Sequence, residues 1–237
     1  MIFVYRNFSC CKVLEHLLFP NMVFFDVGAH YGFYTLLASK RVGPTGLVVA
    51  FEPSPRELKR FCQHLLLNHC SNVWVEPMAV SNYNGMTDFF VAENPYSALN
   101  SLQKPLGQET FVTIQVPVIT LDRYVADKGI SRVDFIKIDT EGADLQVLEG
   151  ASKLLQRSPC PIVMCEFIDD LTERFGYKAS EIYDFLQKRG YSWFEPTSEG
   201  LLRPTHKKAE YHDIDHRDYI AVPEERLVDI LALIKGW

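Results

Sequence analysis

Three groups of residues in this chain are typed and spaced for chemistry on a nucleotide-like ligand. The first is Val23-Phe24-Phe25-Asp26-Val27-Gly28-Ala29-His30-Tyr31-Gly32, an apolar run that meets an acid and then two glycines four apart. That pattern is a strand feeding a tight turn into a helix, the loop that holds nucleotide-like ligands in doubly wound sheets. The second is Glu52, which closes the apolar run Leu47–Phe51, 24 residues after Gly28. Such folds place there the carboxylate that grips a ribose. The third is Phe135-Ile136-Lys137-Ile138-Asp139-Thr140-Glu141-Gly142, with two acids two residues apart at a strand end. Together they imply an adenosine-containing cofactor.

Each position has a physical reason. Gly28 permits a backbone angle that a side chain forbids and lets ligand atoms approach the main chain. Gly32 lets the following helix pack close to its strand. Amides at a helix start attract anionic groups, so the loop is expected to receive the cofactor's carboxylate. Asp26 can accept from a ligand amine or from loop amides, and Glu52 can take both ribose hydroxyls. Of Asp139 and Glu141, one would orient the cofactor's charged end and the other the acceptor. Glu166, ending the next apolar run, would point into the same crevice. The bland alternatives are a plain tight turn at Asp26 and Gly28, a surface acid at Glu52, and helix capping by Asp139, Thr140 and Asp144.

A nucleophilic hydroxyl needs a base. The candidates are His30, Asp139, Glu141 and Glu166, with Glu141 or Asp139 favoured for the acceptor side. His30 also reads as a loop histidine bonded to backbone. Asp139, Glu141 and Glu166 are hard oxygen ligands that would suit Mg²⁺, but no metal is expected. His212-Asp213-Ile214-Asp215-His216 lacks zinc-type spacing and reads as a solvated loop.

The elements that must position these residues alternate along the chain. Residues 1–20 form a helical cap. Met22–Val27, Leu47–Phe51, Asn72–Glu76, Val133–Ile138 and Pro161–Cys165 read as strands, the near-continuous apolar ones buried on both faces. Helices are predicted at Phe33–Lys40, from Ser54-Pro55 to about Asn68, at Asp144–Leu155, at Ala179–Arg189 and at Glu224–Lys235. Tyr191–Phe194 and Tyr219–Val222 are short strands. In residues 82–119, Met86–Ala92 and Phe111–Ile119 alternate polar with apolar and flank about 18 residues of loop, read as a hairpin carrying a mobile, lid-like insertion. One α/β domain over residues 1–237 follows, a doubly wound, Rossmann-like three-layer sandwich.

A net charge of −6 argues against a nucleic-acid partner, which calls for a basic face. Six cysteines without a C-x-x-C pair read as reduced thiols of a cytoplasmic protein. No membrane span and no secretory leader are expected.

These strings resemble the class I S-adenosylmethionine-dependent methyltransferases, and specifically the FkbM-type family. The resemblance rests on Phe25–Thr35, Phe51-Glu52-Pro53-Ser54-Pro55, Ala79-Val80-Ser81 and Ile136–Asp144 with Val147–Ala151. It implies a seven-stranded, mostly parallel sheet with a reversed last strand and order 3-2-1-4-5-7-6. It places Asp26 and Gly28 at the methionine end of S-adenosylmethionine, Glu52 at the ribose hydroxyls and Met78-Ala79-Val80 along the adenine, with Ala29, Gly32, Thr35, Pro53 and Asp139 as further cofactor-binding residues. The product would be S-adenosylhomocysteine. Family members are mostly described as O-methyltransferases of sugars or natural products, so the expected acceptor is a hydroxyl on a small molecule or glycan. His30 stands where the family commonly shows Asn.

Two other classes compete. A nicotinamide-dependent oxidoreductase shares the glycine turn and ribose acid, but Gly-x-Gly-x-x-Gly is broken by His30 and no Tyr-x-x-x-Lys pair follows. A non-catalytic cofactor-binding protein would have little use for Asp139 and Glu141. An Asn/Asp-Pro-Pro-aromatic string is absent at Asp139, which weighs against nitrogen methylation. Oligomeric state is not legible.

Overall fold

Strands whose side chains are apolar on both faces must be covered on both faces, and the predicted ones lie side by side inside one sheet. The structure, a computed structural model, describes residues 8–94, 99–104, 107–212 and 218–234. Its strands are β1 (Val23–Val27), β2 (Leu47–Phe51), β3 (Val73–Glu76), β4 (Ala79–Val80), β5 (Gly85–Ala92), β6 (Phe111–Ile119), β7 (Phe135–Ile138), β8 (Ile162–Glu166), β9 (Tyr191–Pro196), β10 (Leu202–Pro204) and β11 (Asp218–Pro223). Its helices are α1 (Phe8–Leu17), α2 (Phe33–Val42), α3 (Pro55–Leu67), α4 (Leu121–Asp127), α5 (Asp144–Glu149), α6 (Asp169–Thr172), α7 (Ser180–Gln187) and α8 (Leu227–Ile230).

The main sheet runs β10-β9-β11-β8-β7-β1-β2-β3. Without β10 this is the expected 3-2-1-4-5-7-6 order, with β11 antiparallel to β8 and β9. The difference is an eighth strand, β10, antiparallel to β9 at the edge. It spans three residues, and exposed Arg203 and Pro204 mark it as a guarded edge.

Side-chain alternation builds the layers. Phe24, Val48, Phe135, Ile162 and Ile220 meet Val13, Leu14, Leu17 and Ala38 of α1 and α2. Their neighbours Phe25, Val49, Ile136, Val163 and Ala221 meet Tyr124, Val147, Leu148 and Ile182 of α4, α5 and α7. All six cysteines are free thiols. Among the described residues no helix is long and apolar enough to cross a membrane.

Within 82–119, β5 and β6 pair antiparallel from Gly85 with Val118 to Ala92 with Phe111. They join β4 in a second sheet, β4-β6-β5. Residues 95–98 and 105–106 of their connection lie outside the described residues; residues 99–104 return along the free edge of β5, where Phe90 and Ser101 exchange two backbone bonds (2.9 and 3.1 Å).

Two helix expectations are corrected. Asp144–Leu155 breaks after α5 at Gly150, which packs so closely on Ser81 that a Cβ there would lie 2.1 Å from its carbonyl oxygen. The chain resumes as a 3-10 turn at Leu154–Gln156, where Asp122 accepts from the amides of Lys153 and Leu154 at 2.9 and 2.8 Å. Glu224–Lys235 is three short pieces, with α8 between 3-10 turns at Glu224–Arg226 and Leu231–Leu233. Residues 213–217 and 235–237 lie outside the described residues, and with them most of the histidine–aspartate string at 212–216.

Candidate active site

Strand register carries the candidate acids to one rim. Val27 pairs with Phe51 and with Ile138, Phe51 with Glu76, and Ile138 with Cys165. The residues that follow, Gly28, Glu52, Asp139 and Glu166, therefore stand in one row at the carboxyl ends of β1, β2, β7 and β8. That is the ligand-binding edge of an open parallel sheet. Because β11 runs the other way, its first residue, Asp218, lies opposite Glu166 on the same rim.

Asp26 is fully buried and register-paired with Lys137. Thr35 Oγ1 donates to Asp26 Oδ2 at 2.6 Å. Lys137 Nζ lies 3.4 Å from Asp26 Oδ1 and 3.2 Å from Asp139 Oδ2, and donates to the Gly28 carbonyl at 3.0 Å. Burial alone would lower the Lys137 pKa, but the charges of Asp139 and Asp26 outweigh it and the ammonium is held well above its ordinary value. Asp26 Oδ1 has no hydrogen-bond partner.

Four amides of the glycine turn bond to the protein itself. Gly28 N and Ala29 N both donate to the Phe51 carbonyl at 3.0 Å, Gly32 N to the Ala29 carbonyl at 2.8 Å, and His30 N to Glu52 Oε2 at 2.8 Å. These bonds lock the turn onto β2. Gly28 has φ 77°, and a Cβ there would lie 1.9 Å from the Asp139 carbonyl oxygen. At Gly32, φ 84°, a Cβ would meet the Phe61 ring at 2.2 Å. Ala29 is buried beside Ala50 and Phe61.

Glu52 is 4% exposed and accepts from His30 N and Ser54 N, each at 2.8 Å. Burial, opposed by those two donors and assisted by the Glu57 charge, pushes its pKa up to about 7. His30 has φ 52°, a left-handed backbone. Burial drives its imidazole pKa down to about 4, against the pull of Glu57 and Asp139, so the ring is neutral at physiological pH. Its Nε2 has no partner. Pro53 is half-buried next to Glu52, and Met78 is half-buried against the main core. Ala79 belongs to β4 and is buried with Phe89, Val116 and Val118 in the core of the second sheet.

Asp139, Glu141 and Glu166 converge: one carboxylate oxygen of each lies within 4.8 Å of the others. All three are half-buried. Burial, then the charges of Asp139 and Glu141, holds the Glu166 carboxyl well above the ordinary range. Asp144 is buried, accepts from Thr140 Oγ1 at 3.0 Å, and is pushed up to about 7 by burial and by Asp139. The all-oxygen trio is of the kind that takes hard divalent cations, although Lys137 already gives it one positive charge. Glu141 has φ 54°, and its carbonyl accepts from Ser101 Oγ and Arg174 Nη2, each at 3.1 Å. Segment 99–104 is thereby tied to the acidic turn.

Sequence reasoning missed Lys137 and Arg174. Lys137 left a signal, a lysine inside the apolar strand Phe135–Ile138; Arg174 left none. A surface depression lined by Asn82, Asp122, Glu149 and Lys153 shares no residue with this site.

A doubly wound sheet with a reversed strand, and acids in a row at its carboxyl edge, define a class I methyltransferase fold. Comparison with known proteins agrees. A methyltransferase from Methylobacillus flagellatus, titled FkbM, superposes with a TM-score of 0.54 at 16% identity, covering 90% of this chain and 47% of that one. An O-methyltransferase from Bacillus cereus, solved in complex with SAH, superposes at 0.53 and 12% identity, covering 91% and 79%. The Methyltransferase FkbM domain matches residues 26–193, and the chain belongs to this family of S-adenosylmethionine-dependent methyltransferases. Among similar sequences, Methyltransferase 1 of Beauveria bassiana is 28% identical over 166 residues, covering 62% of this chain and 66% of that protein. The 2-O-methyltransferase NoeI of Sinorhizobium fredii is 23% identical over 159 residues, covering 62% and 64%. The chain thus spans just under two thirds of the length of both relatives.

Proposed function

We propose that the chain methylates a hydroxyl of a sugar, glycan or small natural product at the rim formed by Asp26, Glu52, Asp139, Glu141 and Glu166. The observation that carries this reading is the register that sets Gly28, Glu52, Asp139 and Glu166 in one row. The residues fit the cofactor: an acid-rich rim whose fully buried Asp26 Oδ1 receives no hydrogen bond and only the Lys137 ammonium at 3.4 Å suits a ligand bearing an ammonium, a sulfonium and ribose hydroxyls. When bound, S-adenosylmethionine supplies an electrophilic methyl carbon on a sulfonium.

The chain's own groups do the rest. Asp26, oriented by Thr35, and Asp139, oriented by Lys137, bind the amino-acid end; Glu52 binds the ribose hydroxyls; Pro53, Met78 and Ala79 flank the base. Gly28, Ala29 and Gly32 keep the turn close enough for these side chains to reach one ligand. On the acceptor side Glu141 takes the hydroxyl proton, with Asp139 and Glu166 beside it. His30, neutral and of low basicity, is the weaker base and supports Glu52 through its amide. Positioning of a hydroxyl oxygen against the methyl carbon supplies much of the acceleration. Segment 99–104, held to Glu141 by Ser101, covers the acceptor side as a lid. The acidic rim and net charge of −6 disfavour a polyphosphate acceptor. The printed name of NoeI and the missing nitrogen-methylation string support oxygen as nucleophile.

Calorimetry with S-adenosylhomocysteine tests the cofactor half. Asp26→Ala and Glu52→Ala should each weaken binding about tenfold or more, the worth of a charged hydrogen bond, and NAD should not bind. Wild-type affinity in both variants overturns the site. Transfer of labelled methyl to a panel of polyols, phenols and amines tests the acceptor half; transfer to amines alone would refute it.

A further inference from the structure

The helix start Ser54-Pro55-Arg56-Glu57 has the residue types of a capping box, yet Ser54 makes no side-chain bond to the helix amides. Its hydroxyl donates instead to Glu57 Oε2, while Glu57 Oε1 accepts from Arg56 Nε at 2.7 Å. Glu57 is fully buried. A carboxylate at an ordinary helix start stays in water; burying one costs several kcal/mol unless it is paired and hydrogen-bonded. The chain accepts that cost directly behind Glu52. Ser54 joins the two acids, with its amide on Glu52 Oε1 at 2.8 Å and its hydroxyl on Glu57. Arg56 extends the link outward, because its Nη1 donates to the carbonyl of Ala92, the last residue of β5.

We infer that Glu57 is a positioning residue for the cofactor: through Ser54 it holds the Glu52 carboxylate for the ribose hydroxyls, and through Arg56 it moors that pocket to the second sheet. This rests on the reading of Glu52 as the ribose carboxylate. Glu57 has an electrostatic effect as well as a geometric one. The charged and titratable groups acting on Glu52 are Glu57 with its partner Arg56 from α3, His30 from the glycine turn, and Lys137 from β7. Glu57 is the one that disfavours an ionised Glu52, and only the ionised form accepts from both ribose hydroxyls without also having to donate.

The test is S-adenosylhomocysteine affinity between pH 6 and 8.5 for wild type, Glu57→Gln and Glu52→Gln. Wild-type affinity should rise with pH around a midpoint near 7. Glu57→Gln should move that midpoint down by about 0.5–1 unit, the size of a nearby like charge, and lower the high-pH affinity about threefold as the Ser54 bridge loosens. Glu57→Asp should restore the midpoint. A Glu57→Gln protein that binds with wild-type affinity and midpoint, or that loses affinity equally at every pH, overturns the proposal. Glu52→Gln separates the two ideas: undiminished affinity sinks the ribose assignment, whereas weakened affinity with a silent Glu57→Gln sinks only the positioning role. Should Glu57→Gln fail to fold, Ser54→Ala keeps both acids and removes the bridge. It should cost about threefold at pH 8, and unchanged affinity would refute the inference.

Discussion

Lys137 is the position where a single substitution should reveal most about the site. The Lys137→Met change keeps the stem and deletes the ammonium. The Gly28 carbonyl loses its donor at 3.0 Å, and two carboxylates lose their shared ion-pair partner, Asp139 Oδ2 at 3.2 Å and Asp26 Oδ1 at 3.4 Å. Asp26 is fully exposed to none of the solvent that could rehydrate it, and only Thr35 remains as its donor. Removing one partner of a buried pair costs about 3–5 kcal/mol, because the surviving charge is left uncompensated. At about 2–4 °C per kcal/mol for a chain of this size, the melting temperature should fall by about 6–20 °C. The folded-state pKa of Lys137 is raised, so its stabilisation is complete below the unfolded lysine value and is lost only in strong alkali. The effect is therefore full at pH 7. Urea denaturation of Lys137→Met, Asp26→Asn and the double variant forms the assay. The double variant, with both charges gone, should be more stable than the sum of the single losses by at least about 1 kcal/mol. Strict additivity, or a single-variant loss below about 1 kcal/mol, would refute the claim that the ammonium holds the turn and β7 together.

Other perturbations follow from the same geometry. Gly28→Ala should cost more than about 3 kcal/mol, since the new Cβ would meet backbone at 1.9 Å; Gly43→Ala has a similar positive φ of 70° but nothing within 4 Å, and should cost only about 1–2 kcal/mol in chemical denaturation. His30→Asn should preserve stability within about 0.5 kcal/mol and turnover within about threefold, because Asn tolerates the left-handed backbone; loss of turnover with unchanged cofactor affinity would make His30 the base after all. Glu52 and Asp144 each have folded-state values of about 7, above the ordinary carboxylate range, so each binds its proton more tightly when folded. Their contribution is full below about pH 4 and lost as pH rises through 7, so the cofactor-free protein should melt higher at pH 5.5 than at pH 8, and Asp144→Asn should flatten that slope.

Much of the frame was readable because near-continuous apolar runs have few alternatives. Leu47–Phe51 and Phe135–Ile138 could only be strands covered on both faces, and acids at the ends of such runs had to reach one rim once the strands were parallel. Short elements carried too little pattern: β4 has two residues and β10 three, and α4 was hidden although Thr120 accepts from Arg123 N as a true cap. The close approach of Gly150 to Ser81, distant in sequence, leaves no local signal. At the rim, the acids Asp26, Glu52, Asp139 and Glu141 stood out by type and position. The role of Lys137 did not, because pairing it with Asp26 requires the register between β1 and β7. The bonding of the Gly28 and Ala29 amides was hidden for the same reason, since their acceptor, the Phe51 carbonyl, is contributed by another strand.

The shared ammonium at the rim also bears on how such a sequence can drift. A change at position 26 that discards the carboxylate leaves the lysine with Asp139 alone, and a change at 137 that discards the amine leaves two acids without their shared cation, so each step taken singly is costly. Natural variation should therefore move through these two positions in concert, and an alignment of descendants should show acid and amine retained or forfeited as a unit while exposed neighbours wander freely.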